Sequence, residues 1–155
     1  VGGGFDVASA ANTFTAAQDL TGVGRLTKTG AGTLVLAGAN NLASGVNLAA
    51  GTLRAGQAGS LGTGVLDVTG NATLGATGNL GLSNALAIAG SNTLTVAGDT
   101  DLTLGGIISG PSGVLQKNGA QTLTARWSFS SESRSLSRLS SFPTSRLHMT
   151  SMPSR

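Results

Sequence analysis

The stretch "GRLTKTGAGTLVLAG", Gly24 to Gly38, alternates Leu and Val with Thr and Lys around a Gly-Ala-Gly turn and closes on another Gly. The phrase returns 89 positions later as "GVLQKNGAQTLTARW", Gly113 to Trp127, and departs in its last residues. Gly24, Leu26, Lys28, Gly30, Ala31, Thr33 and Leu34 fall over Gly113, Leu115, Lys117, Gly119, Ala120, Thr122 and Leu123. Apolar residues at every second position mark a strand with one buried face, and flanking Gly marks tight turns. A phrase used twice in one chain predicts a repeat architecture with two copies of a long unit.

Shorter variants fill the space between the copies. "GTLRAG" (51–56), "NATLGATG" (71–78), "NTLTVAG" (92–98) and "DLTLGG" (101–106) each set a short alternating run between Gly, Asn, Ser or Asp. Helix is disfavoured, because Gly costs about 1 kcal/mol in a helix interior and all 25 Gly lie between Gly2 and Gly119. Recurring short strands leave a sandwich or a solenoid. The solenoid is favoured by the uniformity of the predicted inward positions, Leu34, Leu36, Leu53, Leu66, Leu74, Leu94, Leu102, Leu104 and Leu115. Aromatic residues, which pin most sandwich cores, make up only 3% of the chain, and there is no Tyr.

Charge divides the chain at Ala125. Residues 1–125 hold five Asp against Arg25, Lys28, Arg54 and Lys117, whereas 126–155 hold five Arg and only Glu132. The net charge of +3 therefore comes from the last segment and does not mark a basic binding face on the repeat region. Cys is absent, which excludes disulfides and thiolate metal sites. That suits a reducing compartment, and equally a surface protein that crosses a membrane unfolded.

The phrase and its continuation, "GVGRLTKTGAGTLVLAGANN" followed by "GVNLAAGTLRAG", resemble the passenger-associated β-strand repeat of bacterial autotransporters. The resemblance rests on Gly22, Gly24, Leu26, Lys28, Gly30, Gly32, Thr33, Leu34, Leu36, Gly38, Asn40, Val46, Gly51, Thr52 and Leu53. "GGIISGPSGVLQKNGAQTL" is similar to a second start of the motif. Extended over residues 1–125, the resemblance implies an all-β fold, a right-handed parallel β-helix (solenoid) fragment, carried to the cell surface by a C-terminal outer-membrane β-barrel in the full-length parent. Five or six coils of such a helix would form a rod on the order of 25 to 30 Å long.

Residues 126–155 read differently. They contain eleven Ser, both Met, the single His and the single Trp, and no Gly, Val, Ile, Asn, Asp or Ala. The segment is expected to be a Ser/Arg-rich tail, either disordered or non-native through a frameshift near Ala125. Gln121 in place of the first copy's Gly32, and Ala125 in place of Leu36, read as the start of that breakdown. The opening "VGGGFDV" lacks the charged and apolar regions of a signal peptide, and no barrel-like segment is expected in this fragment.

A search for chemistry yields little. Asp99 and Asp101 are two residues apart, as a carboxylate pair requires, but more simply form a polar turn before a strand. "VGGGFDV" partly mimics a calcium-binding nonapeptide without its tandem partner. His148 has no patterned acid or nucleophile with which to form a triad. Lys28 and Lys117 read as solvated edge residues that discourage strand addition. The sequence thus predicts no catalytic, cofactor-binding or metal residues, no cofactor, no nucleic-acid partner and no small-molecule substrate. The role expected is a structural stalk of a surface-exposed or secreted passenger without enzymatic activity, the alternative being an adhesin-type surface for host glycans, host proteins or neighbouring cells.

Overall fold

The computed structural model describes residues 2–127 and 147–151, with side chains described as far as Ala125. Residues 128–146 and 152–155, the larger part of the expected tail, lie outside the described residues. Among the described residues every regular element is a strand. The paired strands run parallel throughout.

The chain winds in coils. The first holds β1 (Gly3–Asp6) and β2 (Thr13–Ala16), and the second holds β3 (Thr21–Gly22), β4 (Leu26–Thr29) and β5 (Thr33–Leu36). The third repeats this pattern with β6 (Asn41–Leu42), β7 (Val46–Leu48) and β8 (Gly51–Ala55), and the fourth holds β9 (Leu66–Val68) and β10 (Ala72–Ala76). The fifth holds β11 (Leu80–Leu82), β12 (Leu86–Ile88) and β13 (Thr93–Ala97), and the sixth holds β14 (Leu102–Ser109) and β15 (Val114–Asn118). β16 (Leu123–Trp127) begins the next coil and carries the strand across Ala125, and β17 (Leu147–Ser151) pairs with it.

Stacking sorts these strands into three sides. The first is a sheet in the order β1-β4-β7-β9-β12-β14-β16-β17, and the second is a sheet in the order β2-β5-β8-β10-β13-β15. A short third side contains the β3-β6 pair and the pairing of β11 with the first half of β14. β14 covers two sides because an irregularity between Leu104 and Ile107, at Gly105-Gly106, bends it. The structure is therefore a parallel β-solenoid of six coils, roughly 25 to 30 Å long at the strand spacing of parallel sheets.

Register explains the Leu-rich composition. On the first side Leu26, Val46, Leu66, Leu86 and Ile108 follow one another from coil to coil, and on the second Phe14, Leu34, Leu53, Leu74 and Val96 do the same. All nine Leu predicted to point inward are buried, from Leu34 at 0% to Leu115 at 6% exposure. One coil presents its Leu to a neighbour and not to a core of its own, so hydrophobic burial is realised only on stacking. Two of the Phe, Phe5 and Phe14, sit in the first coil with ring centroids 5.2 Å apart, where the wider rings close the end of the aliphatic columns.

Glycine is required where coils meet backbone to backbone. Gly30 has φ 73° and Gly51 has φ 70°, the left-handed region that penalises a Cβ. Gly51 also lies over the carbonyls of Gly30 and Gly32 one coil earlier, and a side chain there would meet them.

Candidate functional site

The side chains with chemical potential divide into two buried corners and an outer polar surface. The first corner joins β4 to β5. Alternation from Leu26 through Thr27 to Lys28 places Lys28 on the inward face, in a column with Phe5, Leu48, Val68 and Ile88. Lys28 is fully buried, at 0% exposure. Its Nζ donates to the carbonyls of Thr29 at 2.5 Å, Gly30 at 2.7 Å and Ala50 at 3.3 Å, so turn carbonyls from two coils replace the water the amine loses on burial; the Thr29 carbonyl also accepts the Val7 N–H at 3.2 Å. Burial pushes its pKa below the usual lysine value of 10.5, and the Asp6 carboxylate opposes that shift.

The second corner joins β15 to β16. Lys117 continues the inward column of Phe14, Leu34, Leu53, Leu74 and Val96 and is 6% exposed. Its Nζ donates to the Gly119 carbonyl at 2.8 Å, and burial lowers its pKa against the opposing Asp101 charge. Gln121 supplies the remaining donor: its Nε2 reaches the Asn118 carbonyl at 3.1 Å and the Val96 carbonyl at 3.2 Å. The reading of both lysines as solvated edge residues is thus wrong. Strand periodicity governs them, and the carbonyls of the turn compensate the amine for lost water.

The two copies of the phrase occupy different corners of the coil. The first phrase turns from the first side to the second, β4 to β5, whereas the second turns from the second side to the third, β15 to β16. Four coil steps carry Leu26 only to Ile108, and Leu115 lies one side further along the chain.

Polar turn residues bind along the stack. Asn79 Oδ1 accepts the Asp101 N–H at 3.0 Å, and Asp101 Oδ1 accepts the Thr122 N–H at 2.6 Å. Asn71 does the same for Thr93 at 2.8 Å, Asn40 for Leu20 at 2.7 Å and Asp19 for Ala39 at 2.7 Å. Asp101 therefore holds the start of a strand rather than pairing with Asp99, which is exposed in the preceding bend. Arg25 forms an ion pair with Asp67 and donates to the Ser44 carbonyl at 3.2 Å, bridging coils on the outside of the first side. Among the described residues no group of three or more His, Cys, Asp or Glu is placed to hold a metal ion.

The most regular outer feature is a column on the second side. Thr13, Thr33, Thr52, Thr73, Thr95 and Gln116 are consecutive register partners. A shallow trough of about 470 Å³ runs along Thr52, Thr73, Thr95 and Gln116, with Asn71 beside it. Its period-two placement was legible in the sequence, but its continuity was not, since that depends on coil lengths of 19 to 22 residues in this sheet.

Parallel coils, aliphatic columns and polar turn ladders define a solenoid repeat protein. Within it, residues 26–55 match the model of the passenger-associated-transport-repeat family, so the chain carries an autotransporter passenger repeat. That span covers β4 through β8, with the Lys28 corner and the Gly51 turn stacked on it. No curated protein and no solved structure matches the chain.

Proposed function

We propose that this chain is a stalk segment of an autotransporter passenger, exposed at the cell surface or secreted with its parent, and that it has no catalytic activity of its own. The observation that supports this reading is the unbroken stack of six coils around aliphatic columns, with the passenger repeat at its second and third coils. Such a stack is rigid along its axis because each coil is paired on both faces, and its work is to project whatever lies beyond it. The parent's partner in this reading is a C-terminal outer-membrane β-barrel. The chain fused between an export signal and such a barrel, with an epitope ahead of Gly2, tests the proposal. Whole cells should bind antibody to the epitope, and the solenoid should resist added protease. An epitope reached only after lysis would sink the stalk reading.

The threonine column favours a second reading, in which the stalk also adheres. Its hydroxyls repeat at the coil spacing along an open trough and could meet a glycan or an extended protein strand. Replacing Thr52 and Thr73 with Asp should then abolish adherence of displaying cells, while a stalk without adhesive function would show no change.

A further inference from the structure

The Lys28 amine is bonded on both sides of a coil boundary. Thr29 and Gly30 belong to its own turn, whereas Ala50 belongs to the turn of the next coil, immediately before the left-handed Gly51. A flexible, fully buried side chain carrying a cationic donor would be costly in an aliphatic column unless its acceptors were fixed. Without the third coil the amine would have only the Thr29 and Gly30 carbonyls as protein acceptors. Once that coil docks, Leu48 covers the lysine in register, and the Ala50 carbonyl becomes an acceptor on the new layer.

We propose that Lys28 is an inter-coil latch, its amine joining the corner carbonyls of the second coil to the Ala50 carbonyl of the third so that the corner is complete only when the two coils are stacked in register. The inference is independent of the stalk and adhesion readings. It gives the charged position of the phrase a task that an aliphatic residue cannot perform. A coil slipped by one residue would exchange inward and outward side chains and remove the Ala50 carbonyl from the amine's reach, so the latch also selects register.

The test is hydrogen exchange on the full chain. The Ala49 N–H donates to the Lys28 carbonyl and the Thr52 N–H to the Gly32 carbonyl across this boundary, whereas Ala89 and Val114 report on distant coils. Lys28→Met fills the column but removes every donor. The latch requires exchange at Ala49 and Thr52 to accelerate about tenfold or more, the scale of one lost net hydrogen bond, with Ala89 and Val114 unchanged. Unchanged exchange at Ala49 and Thr52, or uniform acceleration at all four sites, would falsify the latch. If Lys28→Met does not fold, Lys28→Gln, which keeps an amide donor, must fold with intermediate protection at Ala49 and Thr52; failure of both variants overturns the proposal.

Discussion

The two lysine corners answer one structural demand with different residues. Around Lys28 the turn runs from the first side to the second, and one amine donates to the carbonyls of both Thr29 and Gly30, the former also accepting the Val7 N–H. Around Lys117 it runs from the second side to the third, and the work is divided, with Lys117 on Gly119 and Gln121 on Asn118. The comparison teaches that the repeated phrase encodes a corner rather than a side of the solenoid. What must be preserved is a buried donor for each carbonyl exposed by a Gly turn, and Gln can share that task with Lys where space allows. Gln121 is consequently a replacement part, and the sequence reading that took it as the start of a breakdown missed its hydrogen-bonding role.

Exchanging residues between the corners should therefore have unequal effects. The largest is expected for Leu36→Ala, which gives the first corner the residue found at Ala125 in the second. Leu36 is fully buried and lies in register between Ala16 and Ala55, neighbours too small to fill the space it would leave. A loss of about 3 to 4 kcal/mol is expected, read as a lower denaturant midpoint. A loss below about 1 kcal/mol would mean that adjacent coils collapse into the gap more freely than close packing allows.

Next is Gly32→Gln, which copies Gln121 into the first corner. A Cβ at Gly32 would press on the Ser9 carbonyl and the Val7 side chain of the preceding coil, so Gln cannot be accommodated without moving that coil. About 2 to 3 kcal/mol should be lost. The reciprocal change, Gln121→Gly, leaves the Asn118 and Val96 carbonyls without that donor and should cost about 1 to 2 kcal/mol. Equal midpoint shifts for the two substitutions would show that the corners are interchangeable and that the difference in side is unimportant.

Much of this architecture was readable before the structure. The alternation through Leu34 and Leu36, or Leu102 and Leu104, identifies the buried face because a strand has only two faces and Thr33, Val35, Thr103 and Gly105 occupy the other. The same rule assigns Lys28 to the inside, two residues after Leu26, but a Lys beside Gly turns reads as a solvated edge residue, since burying its charge is costly without fixed acceptors. That cost is met by carbonyls brought together through backbone turning, which residue identities do not display. The three-sided coil was hidden for a related reason: an offset of 89 residues does not tell which corner each copy occupies, and only register shows that the corners differ. Likewise Asp101 could be read as a turn residue, whereas its acceptance of the Thr122 N–H depends on which residues lie one coil away.

The smallest expected effect separates the corners by charge. Both lysines have folded-state pKa values lowered from 10.5, chiefly by burial, with Asp6 and Asp101 respectively opposing the shift. Between each lowered value and 10.5 the unfolded chain binds more protons than the folded one, so stability rises with pH through that window. Below the window both states are protonated, and the full cost of holding the charge inside is present. The neutral amine keeps two N–H donors, enough for the one carbonyl that Lys117 serves but one short of the three that Lys28 serves, so relief of desolvation at Lys28 is partly offset by a lost hydrogen bond. Denaturant midpoints should accordingly climb as pH is raised from neutrality towards 10.5, and Lys28→Met should remove more of the climb than Lys117→Met because Lys28 is 0% exposed and Lys117 is 6%. A flat profile for the parent chain would mean that the turn carbonyls compensate the buried charge fully, leaving the two corners electrostatically equivalent despite their different donors.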